Sequence, residues 1–261
     1  GAGKVGVVVT EDMTLYVGAI TTVYVLEGIE FPVPEEGIIK LESNEMKVLV
    51  GESFPSIYTY LNPEEEYLMG TGVTVGNENT NMDILTESGN VTCATESKLL
   101  NQTKDTATYE IKATGENVEA VFTVSLKVTE KILELSVDKV DVKSGVVRTF
   151  GFSDLPMAAV AGATSGAVMG IMNGWGPASD TFVDLKTVSA EKQYNDMTYA
   201  LFYDKIAGVV AAVENNAENG EGKYVVKQDP KAPSLTVSNT DWAWQYYENS
   251  KPEKNPPFAK V

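Results

Sequence analysis

The sequence contains no histidine, one cysteine and one arginine, and each scarcity excludes a class of chemistry. Without histidine there is no Ser-His-Asp triad, no histidine zinc site and no imidazole acid or base. Cys93 has no second cysteine to pair with, so a buried thiol is expected here instead of a disulfide. As a nucleophile, its thiolate would lack the usual basic partner. Arg148 is the one arginine available for a two-pronged contact with phosphate.

Positive charge is also scarce, since the formal net charge is −17. Such a chain repels phosphate polymers and anionic membrane surfaces, so we expect no nucleic-acid partner. Residues 155–179 contain no charged residue, yet this stretch is rich in Gly and Ala, with Thr164, Ser165 and Asn173 inside it. It is too weakly hydrophobic for a transmembrane helix, and we expect no membrane span.

Alternating apolar and polar residues are the most informative pattern present. In VEAVFTVSLKV, residues 118–128, the even positions are apolar and the odd positions are mainly polar, as in a half-buried strand. TATYEIKA precedes it, and Thr114–Asn117 between the two segments predicts a hairpin turn. In KILELSVDKVDVK the apolar phase slips near Asp138 and Lys139, which predicts a β-bulge.

Later segments follow the same pattern, and no long amphipathic helix is visible. MTYALFY and IAGVVAAV flank Asp204-Lys205 as a second hairpin, and KYVVKQ and SLTVS follow. Many short strands separated by turns predict an all-β fold, a large antiparallel β-sandwich. We divide it into an N-terminal β part over residues 1–130, which could be a separate small domain, a C-terminal β part over 131–248, and a linker over 249–261 toward a following domain.

Four segments of the second half carry a family resemblance. They are FGFSDLP, the small-residue stretch AAVAGATSGAV, TYALFYDKIAGVVAAVENNAENG and LTVSNTDWAWQYYE. In this order they resemble the N-terminal β-supersandwich domain, galactose-mutarotase-like in fold, of endo-α-N-acetylgalactosaminidase glycoside hydrolases. The resemblance covers roughly Leu133 to Val261.

That resemblance implies an accessory domain of a larger carbohydrate-active protein, secreted or on a bacterial cell surface. In the family a catalytic barrel follows this domain and holds the glycosidase carboxylates. Mutarotases that resemble this fold use histidine with a carboxylate, and this chain has no histidine. The resemblance therefore implies a module that is not an enzyme on its own, with galactose- or N-acetylgalactosamine-type glycans or an adjacent catalytic domain as its partner.

The acidic residues offer two further hypotheses. Glycoside hydrolysis needs a carboxylate pair, and five acidic residues lie in or beside turn-like stretches: Asp154, Asp180, Asp184, Glu214 and Asp241. Nothing in the sequence separates them from solvated loop acids. VENNAENGEG is rich in oxygen ligands, but its spacing is not that of an EF-hand loop. We expect no cofactor there and keep calcium as the alternative.

The sequence Asp241-Trp-Ala-Trp-Gln-Tyr246 is the candidate carbohydrate-binding segment. In one strand Trp242, Trp244 and Tyr246 would share a face, with Asp241 and Gln245 as hydrogen-bonding neighbours. Trp175 in NGWGPASD could add a further ring. Aromatic faces stack on sugars, but large aromatics also anchor cores and domain joints. Packing is the interpretation that we favour.

Three functional hypotheses remain. The first is a non-catalytic accessory domain that gives structural support and could also contact carbohydrate. The second is a carbohydrate-binding or adhesin module that acts alone, with the aromatic residues as its platform. The third is a glycoside-processing enzyme that uses a carboxylate pair.

Overall fold

The computed structural model describes residues 33–71, 73, 80–161, 165–169, 180–183, 192–194, 199–203, 210–215, 222–229, 234–242, 244, 245, 259 and 260. In this part of the chain the regular elements are all β-strands. The first ten are β1 Ile38–Glu42, β2 Lys47–Gly51, β3 Ile57–Leu61, β4 Tyr67–Gly70, β5 Met82–Thr86, β6 Gly89–Gln102, β7 Thr106–Gly115, β8 Val118–Thr129, β9 Ile132–Ser144 and β10 Thr149–Phe152. The remainder are β11 Leu155–Ala161, β12 Ser165–Met169, β13 Asp180–Val183, β14 Lys192–Tyr194, β15 Tyr199–Tyr203, β16 Val210–Asn215, β17 Gly222–Asp229, β18 Ser234–Trp242, β19 Trp244–Gln245 and β20 Ala259–Lys260.

These strands form two antiparallel sheets, as the predicted sandwich requires. The eight-stranded sheet has the order β1-β2-β3-β4-β11-β18-β17-β14. The twelve-stranded sheet has the order β13-β12-β15-β16-β20-β9-β8-β7-β6-β5-β10-β19. Each sheet contains strands from both sides of residue 130. The division of the chain at that residue, and the linker over 249–261, stay predictions.

The long ribbon from β6 to β9 follows the alternation in the sequence. Along β8 the even positions from Val118 to Val128 are buried, while the odd positions are half-buried or exposed. β7 and β8 pair from Thr106↔Lys127 to Gly115↔Val118, which confirms the predicted hairpin. In β9, Val137 pairs with Val124 and Lys139 with Thr123, so Asp138 is the extra residue of a bulge. The predicted slip is confirmed at that position.

The predicted later strands are also present. β15 and β16 pair antiparallel from Tyr199↔Glu214 to Tyr203↔Val210. The turn predicted at Asp204-Lys205 lies outside the described residues. KYVVKQ lies in β17 and SLTVS in β18, and the two strands pair with one bulge between Lys223 and Tyr224.

One hydrophobic core lies between the sheets and takes side chains from both. Phe54, in the loop after β2, meets Phe152 of β10 edge to face, with ring centroids 6.1 Å apart. Phe122 of β8 and Phe150 of β10 are 4.8 Å apart. All four rings are buried, and burying each phenylalanine contributes about 1.5–3 kcal/mol.

Hydrogen bonds also join the two sheets. Tyr109 of β7 donates through its hydroxyl to the Gly51 carbonyl at the end of β2, over 2.7 Å. The Glu42 amide donates to the Lys104 carbonyl at 2.8 Å. Ser43, between β1 and β2, donates its hydroxyl to the Glu130 carbonyl at 2.5 Å. Three hydrogen bonds at different places therefore connect the two sheets or the loops at their ends.

Candidate carbohydrate-contact site

The aromatic segment lies where the chain passes from one sheet to the other. In β18, Asp241 is in register with Lys223 and Trp242 with Gly222, both in the eight-stranded sheet. β19 then pairs with β10 in the twelve-stranded sheet, with Trp244 opposite Phe150. One residue, Ala243, thus separates the last position of one sheet from the first position of the other.

This crossover corrects one expectation about the aromatic row. Trp242 and Trp244 do not continue one strand, because β18 ends at Trp242 and β19 begins in the other sheet. The argument that alternate residues of a single strand share a face does not hold across this break. Gln245 follows in β19, opposite Thr149. Sugar contact by Asp241, Trp242, Trp244 and Gln245 stays a prediction.

Two other predicted site residues, Trp175 and Tyr246, lie outside the described residues, and so does Asp184. The remaining acidic candidates are spread over the fold. Asp154 is in the turn between β10 and β11, Asp180 begins β13, Glu214 is in β16, and Asp241 is in β18. They come from three strands and one turn, and Asp241 is in the sheet opposite the one that contains Asp180 and Glu214.

A polar cluster surrounds the turn at Asp154, within the FGFSDLP segment. The Asp154 amide donates to the Thr80 hydroxyl at 3.1 Å, and the Ser153 amide donates to the Asn81 carbonyl at 2.8 Å. Thr95 of β6 donates its hydroxyl to the Thr80 carbonyl at 2.7 Å. The turn is thereby attached to the residues before β5 and to the middle of β6.

The interior of this cluster is polar and shielded from solvent. Oδ1 of Asp154 and the hydroxyl oxygen of Ser153 are enclosed. The hydroxyl oxygen of Ser97, two residues beyond Thr95 on the same side of β6, is enclosed as well. Within the described residues the two serine hydroxyls have no hydrogen-bond partner. An unsatisfied buried hydroxyl costs about 1–3 kcal/mol, and a bridging water molecule would recover that free energy. The sequence alone did not indicate this cluster.

Cys93 is a buried residue of β6, as expected for a lone thiol. Burial raises the pKa of its thiol, and the nearby Asp83 carboxylate raises this pKa further. Both effects favour the protonated thiol, which is a poor nucleophile. Asp83 itself accepts a hydrogen bond of 2.6 Å from the Thr92 hydroxyl.

Neither a metal-ligand cluster nor a membrane-spanning helix is present in the described part of the chain. It contains no group of three or more His, Cys, Asp or Glu residues that could hold a metal ion. The central residues of the calcium alternative, 216–221, lie outside that part. No helix there is long and apolar enough to cross a membrane. Residues 155–161 and 165–169 form β11 and β12.

Comparison with known proteins identifies the fold. A family model described as "Galactose mutarotase-like fold domain" matches residues 41–261. The chain is similar in structure to a galactose mutarotase-like protein from Lactobacillus casei, with a TM-score of 0.53, 10% identity and coverage of 86% of this chain and 98% of that chain. A galactose mutarotase related enzyme from Lactobacillus acidophilus gives a TM-score of 0.50, 10% identity and coverage of 86% and 96%. No curated protein matches significantly. At this identity the structural likenesses show the fold alone.

Proposed function

Because the chain belongs to the galactose mutarotase-like fold domain family, we propose that it is a non-catalytic accessory module of a carbohydrate-active enzyme. The observation that carries the proposal is a sugar-processing fold in a chain that contains no histidine. The parent enzyme would be a secreted or cell-surface glycoside hydrolase acting on O-glycans. The endo-α-N-acetylgalactosaminidase type is the one that the sequence resembles.

The acid–base chemistry of the described residues supports this proposal. Opening and closing a sugar ring needs a group that both gives and accepts a proton near neutral pH, and histidine is the side chain best suited to that task. A carboxyl group would need a raised pKa to replace it. The pKa values of Glu65, Asp105 and Asp141 are instead lowered, because hydrogen bonds from lysine or threonine side chains stabilise their charged forms.

The crossover at Trp242 and Trp244 supports a bracing role for the aromatic segment. A backbone that pairs in both sheets within a few residues fixes the sheets relative to each other. Large aromatic side chains in such a position would suit a joint with an adjacent catalytic domain, since they bury much surface at domain interfaces. The adjacent catalytic domain would then be the partner that contacts the aromatic segment.

A second candidate function is a stand-alone carbohydrate-binding module. The observation that favours it is the concentration of Asp241, Trp242, Trp244 and Gln245 at one crossover between the sheets. Aromatic rings with a few hydrogen-bonding groups beside them form the usual sugar platform. Its ligands would be galactose- or N-acetylgalactosamine-type glycans.

One NMR experiment tests both functions on the full chain. Freshly dissolved α-galactose is followed by proton NMR with and without protein, and we expect the anomers to equilibrate at the same rate in both samples. Acceleration by the folded protein would contradict the accessory function. A mutarotase of the same fold serves as the positive control.

The same samples then report on binding through saturation transfer to galactose, N-acetylgalactosamine and their mucin-type disaccharide. The accessory function, with packed aromatics, predicts no transfer to these sugars. Transfer that is lost in Trp244→Ala and kept in Trp244→Phe, with circular dichroism showing both variants folded, would establish the binding module instead. The phenylalanine variant is the matched control because it preserves an aromatic face.

A further inference from the structure

Each half of the long strand β6 has a neighbouring strand on one side only. β5 pairs with it from Gly89 to Cys93, and β7 pairs with it from Ala94 to Gln102. In the sheet order β5 and β7 are on opposite sides of β6. Among the described strands, none continues the β5 side of the ladder past Cys93. The second half of β6 therefore has a free edge on that side.

The length of this edge is limited at both ends. Before β5, the Thr80 carbonyl accepts a hydrogen bond from the Thr95 side chain at 2.7 Å, so the chain approaches β6 through a side chain and does not extend the ladder. At the other end Leu100 is the extra residue of a bulge against β7, and a bulge bends its strand. The free edge is thus Thr95–Leu99. Its unpaired backbone groups form a template for another strand.

The charged side chains of this edge complement a second copy of the same edge. In an antiparallel pair with a two-fold axis at Ser97, Glu96 of each copy lies opposite Lys98 of the other. Opposite charges directly across a strand pair stabilise the pairing, and like charges destabilise it. Moving the axis by one residue places either the two Glu96 or the two Lys98 side chains opposite each other. Charge therefore favours the pairing centred on Ser97.

Both charged side chains can make these contacts. Glu96 is exposed, and it forms no ion pair within the described ranges. Lys98 lies 2.7 Å from the Glu110 carboxylate of β7, but its side chain is 65% exposed. An ammonium group has three donors, so Lys98 can bind a second carboxylate without leaving the first.

The Ser97 hydroxyl gives an independent reason for the same pairing. It is enclosed, it has no hydrogen-bond partner in the described structure, and it lies on the face of β6 opposite Glu96 and Lys98. At a two-fold axis the Ser97 residues of the two copies are directly opposed, with Cβ atoms about 4.5–5.5 Å apart. One hydroxyl can then donate to the other. The pairing thereby satisfies a buried group that the single chain leaves without a partner.

We propose that Thr95–Leu99 pairs antiparallel with the same segment of a second copy, which joins the twelve-stranded sheets of two molecules into one. Strand addition of this kind takes its affinity from main-chain hydrogen bonds and its specificity from side chains. Because the paired segment is short, the interface is small, and the dimer forms at high protein concentration and dissociates on dilution.

Two variants that fail to dimerise alone but dimerise together test the charge pairing. Sedimentation velocity of the full chain is recorded between roughly 10 μM and 1 mM, where we expect wild type to change from monomer to dimer. Glu96→Lys and Lys98→Glu each make both attractive pairs repulsive, so each should dimerise about tenfold more weakly. In an equimolar mixture the two substituted positions face each other with opposite charges. Both pairs are then attractive again, and dimerisation should return toward the wild-type level.

Lys143→Glu is the matched control, because it makes the same charge change and also removes an exposed ion pair, the one with Asp141 in β9. It should dimerise like wild type, and circular dichroism verifies that every variant is folded. The proposal is wrong if wild type stays monomeric at the highest concentration. It is also wrong if Lys98→Glu and Lys143→Glu weaken the dimer equally, or if the mixture of the two edge variants recovers no dimer.

Amide hydrogen exchange in the same samples locates the interface. Raising the concentration of wild type should slow exchange in a peptide that covers Thr95–Leu99, and the same change should have no effect in Lys98→Glu. Slowing confined to other strands would place the dimer contact elsewhere and contradict the proposal. Equal and strong protection of Thr95–Leu99 at both concentrations would show that another part of the chain covers this edge, which also contradicts it.

Discussion

At the scale of single residues, Glu65 has the most strongly altered chemistry of the described carboxyl groups. It lies between β3 and β4 with a φ of 68°, and its Oε1 accepts hydrogen bonds of 2.8 Å from Lys40 and from Lys47. These hydrogen bonds, from Lys40 first and Lys47 second, and the attraction of the two ammonium groups lower the pKa of Glu65 to about 2. One turn residue thereby connects β1, β2 and the β3–β4 hairpin.

The lowered pKa predicts a pH dependence for Glu65→Gln. A carboxyl group whose pKa is lower in the folded state stabilises the fold fully above its ordinary value of 4.5, and this stabilisation is lost as the pH falls toward about 2. We expect wild type to melt slightly above Glu65→Gln at pH 5–7, with a difference that disappears toward pH 2. Differential scanning calorimetry over this range measures it.

Glu64→Gln is the matched control, since it removes the same charge from the same turn. Its difference from wild type should not follow the pH profile of Glu65→Gln. Because Glu65 is exposed, salt should also reduce the Glu65→Gln difference at pH 7. A difference that persisted unchanged to pH 2 would contradict the role of the carboxylate.

Residue-scale prediction from the sequence succeeded where the reason was local. A lone cysteine was expected to be buried, and Cys93 is. The polar cluster was not predicted, because its members are far apart in the chain: Thr80 and Asp154 are joined by a hydrogen bond across 74 residues. Only strand pairing brings β6 and the β10–β11 turn together, and no local pattern encodes that pairing.

At the scale of elements, the sequence predicted strands best where one face is buried and the other is not. β8 alternates along its whole length, so the pattern and the bulge opposite it in β9 were both visible. β3 lacks such a pattern, because its first four residues are all buried. A strand covered on both faces loses the period of two on which such a prediction depends.

The end of β9 provides a prediction at this scale, Gly145→Ala. Gly145 has a φ of 76°, and a Cβ atom there would lie 2.2 Å from the Asn117 carbonyl oxygen, in the turn between β7 and β8. Neither backbone can give way without disturbing the ribbon. We expect a loss of about 3 kcal/mol in the free energy of unfolding, measured by urea titration.

Gly37→Ala separates the steric effect from the conformational one. Gly37 has nearly the same φ, 72°, but a Cβ atom there would meet nothing within 4 Å. It should cost only about 1 kcal/mol, the usual penalty for a left-handed alanine. Equal losses in the two variants would mean that the Asn117 turn moves aside and that packing of the ribbon end contributes little.

At the scale of the whole molecule, the order of strands was the part that the sequence did not reveal. The all-β sandwich was predicted and is confirmed, but β11 lies beside β4 and β18, and β10 lies between β5 and β19. These neighbours are distant in the chain. The crossover between Trp242 and Trp244 was missed for the same reason, since a run of alternating aromatics looks like one strand until its partners are known.

Each sheet contains strands from both sides of residue 130, so we expect the chain to unfold as one cooperative unit. Tyr109→Phe tests this expectation. Tyr109 is fully buried, and its hydroxyl is the donor to Gly51 between the sheets. Its removal leaves the Gly51 carbonyl without that donor, so we expect a loss of about 1–3 kcal/mol. Burial also raises the pKa of the Tyr109 hydroxyl, which therefore stays a donor throughout the usual pH range.

The three tryptophans report on the other half of the chain, because all of them follow residue 130. In urea, Tyr109→Phe should shift the midpoint of the tryptophan fluorescence transition as much as it shifts that of far-UV circular dichroism. Leu100→Ala, at an exposed position of the neighbouring strand, should shift neither. If the tryptophan transition stayed in place while part of the dichroism signal moved, residues 1–130 would be a separate folding unit. Coincident shifts would mean that a hydrogen bond made before residue 130 stabilises strands after it, as a core shared by both sheets requires.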